Sequence, residues 1–212
     1  RRQRQMCIRD STVTSFTGIP VLTDEWGLDA VYSGSQKCLS CVPGLSPLTF
    51  SAKAIEKIQS RDTKIQSWFL DQTLVLDYWS GTGKRSYHHT APINSIFALH
   101  EALRLACDET LENLWKRHLD AHFRLKQGLD SMSFDFVVEK KYRLPQMNSI
   151  HIPEGYDDLE IRSKLLNDYN LEIGAGLGKF SGKIWRIGLM GYNARNESVD
   201  YCLNSLKEVL NK

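Results

Sequence analysis

Short apolar runs broken by glycine and proline mark the first part of the chain. Residues 28–33 have the pattern of a buried strand that ends in a glycine–serine turn, and 48–50 is a second extended piece. The spacing of apolar residues from Ala52 to Gln59 predicts a short amphipathic helix. Residues 61–86 carry many aromatic side chains without a clear period, so we expect an irregular segment there.

Two longer helical patterns follow. Thr90 is placed to cap the first, with Pro92 in its opening turn, and this helix is predicted to reach about Cys107. The second helix is predicted from Thr110 to about Met132. Its predicted apolar face consists of Leu111, Leu114, Trp115, Leu119, Phe123 and Leu129.

From residue 134 onwards, strand-like and helical segments alternate. Strands are predicted at 134–138, 148–152, 171–173 and 184–189. One helix should be capped near Asp157. The final helix turns these residues inward: Val199, Cys202, Leu203, Leu206 and Leu210. The order β-β-α-β-β-α predicts a small α+β domain, so we divide the chain near residue 109 into 12–109 and 110–212.

The composition narrows the class of protein without identifying a partner. The hydrophobic fraction is 42%, the charged fraction is 25% and the formal net charge is +2, all typical of a globular domain. Basic residues are interleaved with carboxylates, so we expect no nucleic-acid partner. No apolar run approaches the roughly 20 residues that a membrane span requires, and we expect no membrane partner.

Five cysteines without a regular spacing predict reduced thiols in a soluble, intracellular protein. The cytoplasm is the favoured compartment, and a peroxisome or mitochondrion is the alternative. The last three residues, Leu210-Asn211-Lys212, are not a peroxisomal signal of the Ser-Lys-Leu type.

Lys37 follows a predicted strand and a turn of small residues, in the run Tyr-Ser-Gly-Ser-Gln-Lys at 32–37. This position lies near a sheet edge, where the ligands of α/β folds collect. A lysine there can lose its proton through desolvation and attack a carbonyl carbon. Most lysines are solvated surface residues, so the spacing alone leaves both interpretations open.

Four segments resemble the motifs of one enzyme family. They are Ser-Gly-Ser-Gln-Lys-Cys-Leu at 33–39 with Pro-Gly-Leu-Ser at 43–46, Tyr-His-His-Thr-Ala-Pro at 87–92, Gly-Ala-Gly-Leu-Gly at 174–178, and Trp-Arg-Ile-Gly-Leu-Met-Gly at 185–191. In this order they are similar to alanine–glyoxylate and serine–glyoxylate aminotransferases, which are class V, fold-type I pyridoxal-phosphate enzymes. The resemblance covers residues 12–212. It implies an α/β fold, in which the C-terminal part of a large cofactor-binding domain is followed by a small α+β domain.

The resemblance also implies the cofactor site. Lys37 would hold pyridoxal 5′-phosphate covalently and, once released, would move a proton between the substrate α-carbon and the cofactor. Gln36 would contact the cofactor, and Val13 would pack against its ring. Cysteine desulfurases of the same fold usually have a histidine before their lysine, so Gln36 favours the aminotransferase branch.

Three further residues take roles from the resemblance. Tyr87 and Thr90 would reach the cofactor phosphate of the neighbouring subunit in a homodimer. Arg186 would bind the substrate α-carboxylate through paired, planar hydrogen bonds. Without the resemblance, the simpler alternatives are a core tyrosine, a plain helix cap and a surface arginine in an ion pair.

The activity that the resemblance implies is transamination between small molecules. Alanine or serine would donate its amino group to the cofactor, and glyoxylate would accept it, which gives glycine and a 2-oxo acid. One alternative is another class V enzyme, such as a cysteine desulfurase or lyase. A second alternative is an inactive fragment that acts only as a dimerisation module.

Two other patterns suggest chemistry that we do not expect. The glycine-rich run at 174–179 resembles a phosphate loop, but a predicted strand follows it where a phosphate loop needs a helix. Cys38 and Cys41 have the spacing of a redox-active pair or of half a zinc site, but no second cysteine pair exists. His118 and His122 lack the glutamate of a metalloprotease motif. His88 and His89 are adjacent in an extended segment, so we expect their side chains to point to opposite faces. We therefore predict no metal.

The beginning of the chain departs from the family pattern. Residues 1–5 are basic and the sequence passes abruptly into a strand-like segment, so we interpret 1–11 as a non-native leader on a fragment of a longer protein. The family's aspartate that pairs with the pyridine nitrogen falls at Ser11 when counted back from Lys37. Asp10 is one position away, inside the interpreted leader.

Overall fold

The computed structural model describes residues 7–79 and 86–211, and over these ranges the chain contains two three-stranded sheets. The first sheet consists of β1 (Arg9–Ser11), β2 (Ala30–Tyr32) and β3 (Leu48–Phe50). β1 runs parallel to β2, and β3 is antiparallel to it. Tyr32 pairs with Ser11 on one side and Leu48 on the other, so the three strands meet at the edge from which the chain continues to Lys37.

Asp29, immediately before β2, ties this sheet to the helix that follows it. Its carboxylate accepts the Ile8 backbone N–H and the Ser51 hydroxyl, each at 2.8 Å, and pairs with Lys53 Nζ at 3.3 Å. These contacts lower the pKa of the Asp29 carboxyl, and the hydrogen bond from the Ile8 N–H has the largest effect. The Ser51 hydroxyl also caps α1 (Ala52–Gln59), so the predicted range of this helix is confirmed.

The prediction of an irregular segment over 61–86 is wrong in part, because α2 (Gln72–Trp79) lies within it. The Asp71 carboxylate accepts the Thr73 N–H at 3.0 Å and the Thr73 hydroxyl at 2.7 Å. These bonds satisfy a donor that a helix start otherwise leaves free. Residues 80–85 of the predicted segment lie outside the described residues.

Two long helices, α3 (Ile93–Glu109) and α4 (Leu111–Ser131), meet at Thr110. Thr110 has a φ of +71° and its hydroxyl accepts a hydrogen bond from the first turn of α4. The prediction that Thr90 caps α3 is wrong, since Pro92 occupies the capping position and no side chain caps this helix. The Thr90 hydroxyl is within reach of another side chain described below.

The predicted apolar face of α4 is also wrong in part. Leu111, Leu119 and Phe123 are between 41% and 48% exposed. The buried stripe is formed by Leu114, His118, Ala121, His122, Leu125 and Leu129. These positions follow the spacing of one helical face, and two of them are histidines that a search for apolar residues passes over.

The second sheet and its helices hold the main core. Its strands are β4 (Met147–His151), β5 (Gly174–Ala175) and β6 (Ile184–Gly188), in the antiparallel order β4-β6-β5. The helices α5 (Asp158–Tyr169) and α6 (Asn196–Leu210) pack with α4 around it. Fully buried side chains of this core include Leu125, Leu129, Ile150, Leu165, Trp185 and Leu206. The predicted inward face of α6 and the Asp157 cap of α5 are both confirmed.

Two predicted strands are displaced by helix ends. Over 134–138 the chain pairs with β4 through one bridge, between Phe136 and Ile150, and two backbone hydrogen bonds beside it, while the Phe134 N–H closes the end of α4. Over 171–173 the Leu171 N–H closes the end of α5, and β5 begins only afterwards. Carbonyls left free at a helix end compete successfully for these donors.

The division near residue 109 and the leader over 1–11 stay predictions. Residues 1–6 lie outside the described residues, and β1 lies at the end of the interpreted leader. In the part of the chain that the structure describes, every helix is too short or too polar to cross a lipid bilayer.

Candidate active site

The lysine turn (residues 35–41) begins just beyond β2 and is held by hydrogen bonds to the backbone. The buried Ser35 hydroxyl donates to the Val42 carbonyl at 2.7 Å. The Ser40 N–H donates to the Lys37 carbonyl at 2.9 Å. Lys37 is half-buried within this frame, so its small neighbours fix its backbone while its side chain keeps access to solvent.

Gln36 lies on the same turn and is exposed. Its side chain passes close to Gly34, where a Cβ would lie 2.9 Å from Gln36 Oε1. The glycine of the motif therefore makes room for the glutamine that follows it.

Val13 lies beside the lysine turn. The Thr12 N–H donates to the Tyr32 carbonyl at 2.8 Å, and the Cys38 thiol donates to the Thr14 carbonyl at 3.2 Å. Both neighbours of Val13 are thus bonded to residues that flank Lys37. The structure brings these three predicted residues, Val13, Gln36 and Lys37, to one edge of the first sheet.

Arg186 lies at the centre of β6, opposite Gly174 of β5. Its Nε donates to the Ala175 carbonyl at 2.7 Å, which fixes the plane of the half-buried guanidinium group. A Cβ at Gly174 would lie 3.4 Å from Arg186 Nε and Nη2, so the guanidinium lies directly against this glycine. Within residues 7–79 and 86–211, no carboxylate pairs with the terminal nitrogens of Arg186, which leaves them available for an anionic ligand.

The chain after β6 returns to the lysine turn. Tyr192, in the short turn Gly191–Asn193, donates its N–H to Ser40 Oγ at 2.7 Å. Gly191 has a φ of +55°, and a Cβ there would overlap Ser40 Oγ and lie 2.7 Å from the Cys38 carbonyl. The segments that carry Lys37 and Arg186 therefore meet through this contact.

α4 holds the other side of the same turn. His118 Nε2 accepts the Gly191 N–H at 3.0 Å, and Arg117 Nη1 donates to the Gly191 carbonyl at 2.6 Å. Arg117 is itself held by a paired contact with Glu109, at 2.6 and 3.0 Å. Neither Ser40 nor Gly191 has a predicted role from the sequence, and His118 is predicted only as a candidate in a metal site that we do not expect. The position of Gly191 shortly after a predicted strand is the only local feature of the sequence that suggests a tight turn there.

Tyr87 and Thr90 precede α3 and contact each other. Their hydroxyl oxygens are 2.6 Å apart, and Tyr87 is 69% exposed. Among the described residues, no hydrogen bond joins either hydroxyl to the lysine turn. The alternatives of a core tyrosine and a plain cap are both wrong for this structure.

His88 and His89, which lie between Tyr87 and Thr90 in the sequence, are expected from the sequence to point to opposite faces. That prediction is wrong. His88 Nδ1 and His89 Nδ1 are 2.7 Å apart, and the His88 ring stacks on Trp68 with ring centroids 4.0 Å apart. Stacking on an aromatic ring from the 61–86 segment turns His88 inward and overrides the alternation of an extended chain.

The glycine-rich run and the candidate metal-binding residues have other surroundings than those that a phosphate loop or a metal site requires. The run at 174–179 passes from β5 through a short 3₁₀ turn into β6, without the helix that a phosphate loop needs. Burial raises the pKa of the Cys38 thiol to about 11, which keeps it protonated as a donor. No cluster of three metal-ligating side chains occurs in the ranges that the structure describes.

Comparison with known proteins relates the chain to one family. A family model described as aminotransferase class-V matches residues 2–201. The chain is 40% identical over 201 residues to alanine–glyoxylate aminotransferase of Rattus norvegicus, covering 94% of this chain and 49% of the relative. It is 33% identical to (S)-ureidoglycine–glyoxylate transaminase of Bacillus subtilis, covering 93% of this chain and 51% of the relative.

A solved structure agrees with these relatives. The crystal structure of alanine–glyoxylate aminotransferase from Nostoc sp. superposes with a TM-score of 0.94 at 47% identity, covering 99% of this chain and 55% of that one. The chain spans about half the length of the curated relatives that it matches.

Proposed function

Because this chain belongs to the aminotransferase class-V family, whose members depend on pyridoxal 5′-phosphate, we propose that it is the C-terminal half of a transaminase. The amino donor is alanine or serine, the acceptor is glyoxylate, and the products are glycine and a 2-oxo acid. The observation that carries the proposal is the meeting of the lysine turn with the chain that follows Arg186, through Tyr192 and Ser40. Relatives named for glyoxylate support the choice of acceptor.

The residues of the lysine turn fit pyridoxal 5′-phosphate. Lys37 is half-buried, and among the described residues no carboxylate pairs with its Nζ. Gln36 and Val13 lie at the same edge, where one can contact the cofactor and the other can pack against its ring. When bound, the cofactor supplies an aldehyde for attachment to the lysine and an electron sink for charge that develops at the substrate α-carbon. The free amine of Lys37 moves a proton to and from that α-carbon.

Arg186 orients the substrate. Since Nε is engaged by the Ala175 carbonyl, the two terminal nitrogens present a planar pair of donors to the α-carboxylate. A lysine would keep the charge and lose the paired geometry.

A second copy of the chain completes the phosphate site. Near Tyr87, the exposed rings of Trp68 and Phe69 contact those of His88 and His89. A large exposed apolar patch is typical of a protein–protein interface. In the homodimer these rings are covered, and the hydroxyls of Tyr87 and Thr90 reach the cofactor phosphate of the neighbouring subunit.

One observation favours the alternative of an inactive dimerisation module. Ser11 falls at the position of the family's pyridine-nitrogen aspartate, and it lies in β1 next to Asp10. The Asp10 carboxylate accepts the Ser11 N–H at 2.8 Å and is exposed. A hydroxyl would not hold a proton on the pyridine nitrogen as a carboxylate does, so this chain by itself would be a weak catalyst.

Arg186→Lys tests the proposed substrate contact in the full-length protein that would contain this chain. Each charge-assisted hydrogen bond contributes about 1.5–3 kcal/mol, so the loss of one should lower kcat/KM roughly 10- to 150-fold. Cofactor attachment to Lys37 should be unchanged. The measurement is steady-state kinetics with alanine, serine and glyoxylate beside a cofactor titration.

Arg124→Lys is the matched control, because Arg124 forms its paired contact with Asp200 on the surface. Its kinetics should equal those of the wild type. If Arg186→Lys instead releases the cofactor and keeps the wild-type KM for the amino acid, Arg186 does not bind the substrate.

Mixed dimers test the partner contribution. Chains with Lys37→Ala and chains with Tyr87→Phe should each be impaired, and a mixture should regain activity because each mixed dimer contains one intact site. Mixed dimers that form and stay as inactive as their parents would contradict the role of Tyr87.

A further inference from the structure

The turn Gly191–Asn193 is the point where three segments distant in sequence are joined by hydrogen bonds. The Gly191 N–H is bound by His118 of α4, and the Tyr192 N–H is bound by Ser40 of the lysine turn. Ser40 follows Lys37 by three residues, and Gly191 follows Arg186 by five. The two residues assigned to cofactor and substrate are therefore linked through short stretches of backbone.

The chemistry of His118 is determined by its two neighbours. Nδ1 lies 2.7 Å from the Leu114 carbonyl, which can only accept, so Nδ1 carries the proton. Nε2 therefore presents a lone pair to the Gly191 N–H. His118 is 0% exposed, so a substitution that removes this acceptor would leave the Gly191 N–H without a partner in the protein interior.

The contact with the lysine turn is close enough to transmit displacements. There is no space for a side chain at Gly191 beside Ser40 Oγ and the Cys38 carbonyl. A shift of the Gly191 turn would therefore move Ser40, whose N–H is bonded to the Lys37 carbonyl. The same shift would pull on the end of β6, which carries Arg186.

Resting on the proposed function, we propose that His118 and Ser40 are positioning residues that set the separation of Lys37 from Arg186 through the Gly191 turn. Transamination requires the lysine amine to reach the α-carbon of a substrate whose carboxylate Arg186 holds. Misplacement by about 1 Å can slow such a reaction by about two orders of magnitude. Both act through the backbone of the Gly191 turn, where His118 accepts the Gly191 N–H and Ser40 accepts the Tyr192 N–H.

Backbone hydrogen exchange tests the positioning without reference to activity. In the full-length protein without added cofactor, His118→Leu should make the Gly191 and Tyr192 amides exchange on the order of 10-fold faster, since one buried hydrogen bond is lost. The Ser40 amide should follow them. His118→Gln keeps an acceptor oxygen and should restore most of the protection.

His122→Leu is the matched control, one helical turn along α4. His122 is also buried, but its Nδ1 bonds Asn148 and not the Gly191 turn. This variant should lose stability while the Gly191, Tyr192 and Ser40 amides keep their wild-type exchange. If His118→Leu does not fold, Ser40→Ala, which removes only one hydroxyl, should still accelerate exchange at Tyr192.

Kinetics of the holoenzyme complete the test. His118→Leu should lower kcat about 10- to 100-fold while the KM for the amino donor changes less than about 3-fold, because binding survives and alignment is lost. Ser40→Ala should also lower kcat and leave the KM for the amino donor nearly unchanged, but its decrease in kcat should be smaller. Unchanged exchange at the Gly191 turn, or faster exchange with wild-type kcat, would overturn the proposal.

The same experiment separates this inference from the function on which it rests. A wild-type protein without transaminase activity would refute the proposed function, and with it the catalytic meaning of the positioning. An active wild type whose His118 and Ser40 variants keep their kcat would refute the positioning alone.

Discussion

Gly191→Ala should destabilise the chain more than other glycine substitutions with the same backbone conformation. A φ of +55° costs a residue with a Cβ about 1–2 kcal/mol. The new methyl group would also overlap Ser40 Oγ and lie 2.7 Å from the Cys38 carbonyl. Overpacking of a close contact typically adds about 1–3 kcal/mol, so the free energy of unfolding should fall by about 2–5 kcal/mol.

Gly178→Ala provides the comparison. Gly178 has a φ of +56°, and a Cβ there meets no atom within 4 Å. Gly178→Ala should therefore lower the free energy of unfolding only by the cost of a positive φ, about 1–2 kcal/mol. The difference between the two variants measures the contact with the lysine turn alone.

The assay is urea-induced unfolding of both variants, followed by fluorescence and circular dichroism. The hydrogen-exchange rate of the Ser40 amide should increase in Gly191→Ala and stay unchanged in Gly178→Ala. Equal unfolding midpoints for the two variants would refute the reasoning, because they would show that the Gly191 turn does not press against the lysine turn.

Two further predictions concern stability. Burial, the largest cause, lowers the pKa of both His118 and His122, so the unfolded chain takes up protons that the folded chain resists. The contribution of these two histidines to the free energy of unfolding is complete above about pH 6.5. It declines as the pH falls below that value, by at most about 1.4 kcal/mol per pH unit for each histidine. Urea midpoints between pH 7.5 and 5 should therefore decrease in the wild type and less so with both histidines changed to glutamine; equal slopes would contradict this. Asp157→Ala should cost about 1 kcal/mol, because Asp157 Oδ1 accepts the Glu160 N–H at 2.8 Å, and an unchanged midpoint would show that the cap is not stabilising.

Local signals in the sequence predict the elements that depend on local contacts. The range of α1, the cap of α5 and the inward face of α6 follow from nearby residues, and all three are confirmed. The start of α2 depends on Asp71, a single polar residue, and a search for apolar periodicity missed it.

Elements that depend on distant partners are predicted less well. The buried face of α4 includes His118 and His122, which are tolerated inside because Gly191 and Asn148 supply their hydrogen bonds. Those partners lie far along the chain, so the helix by itself gives no sign of them. His88 turns inward for the same kind of reason, since it stacks on Trp68.

The candidate site shows the same division. The motif around Lys37 and the strand around Arg186 can be recognised from their own residues. Their connection through Ser40 and the Gly191 turn can be seen only in the folded chain. Tyr87 and Thr90 are not joined to the lysine turn by any hydrogen bond among the described residues, and their proposed role depends on a second copy of the chain.

The proposed attachment of pyridoxal 5′-phosphate to Lys37 can be tested by locating the labelled lysine. The full-length protein is incubated with the cofactor, treated with borohydride, digested and mapped by mass spectrometry. We expect a label on the peptide that contains Lys37 and no label after Lys37→Ala. A label on another lysine, such as Lys179 or Lys183, would contradict it.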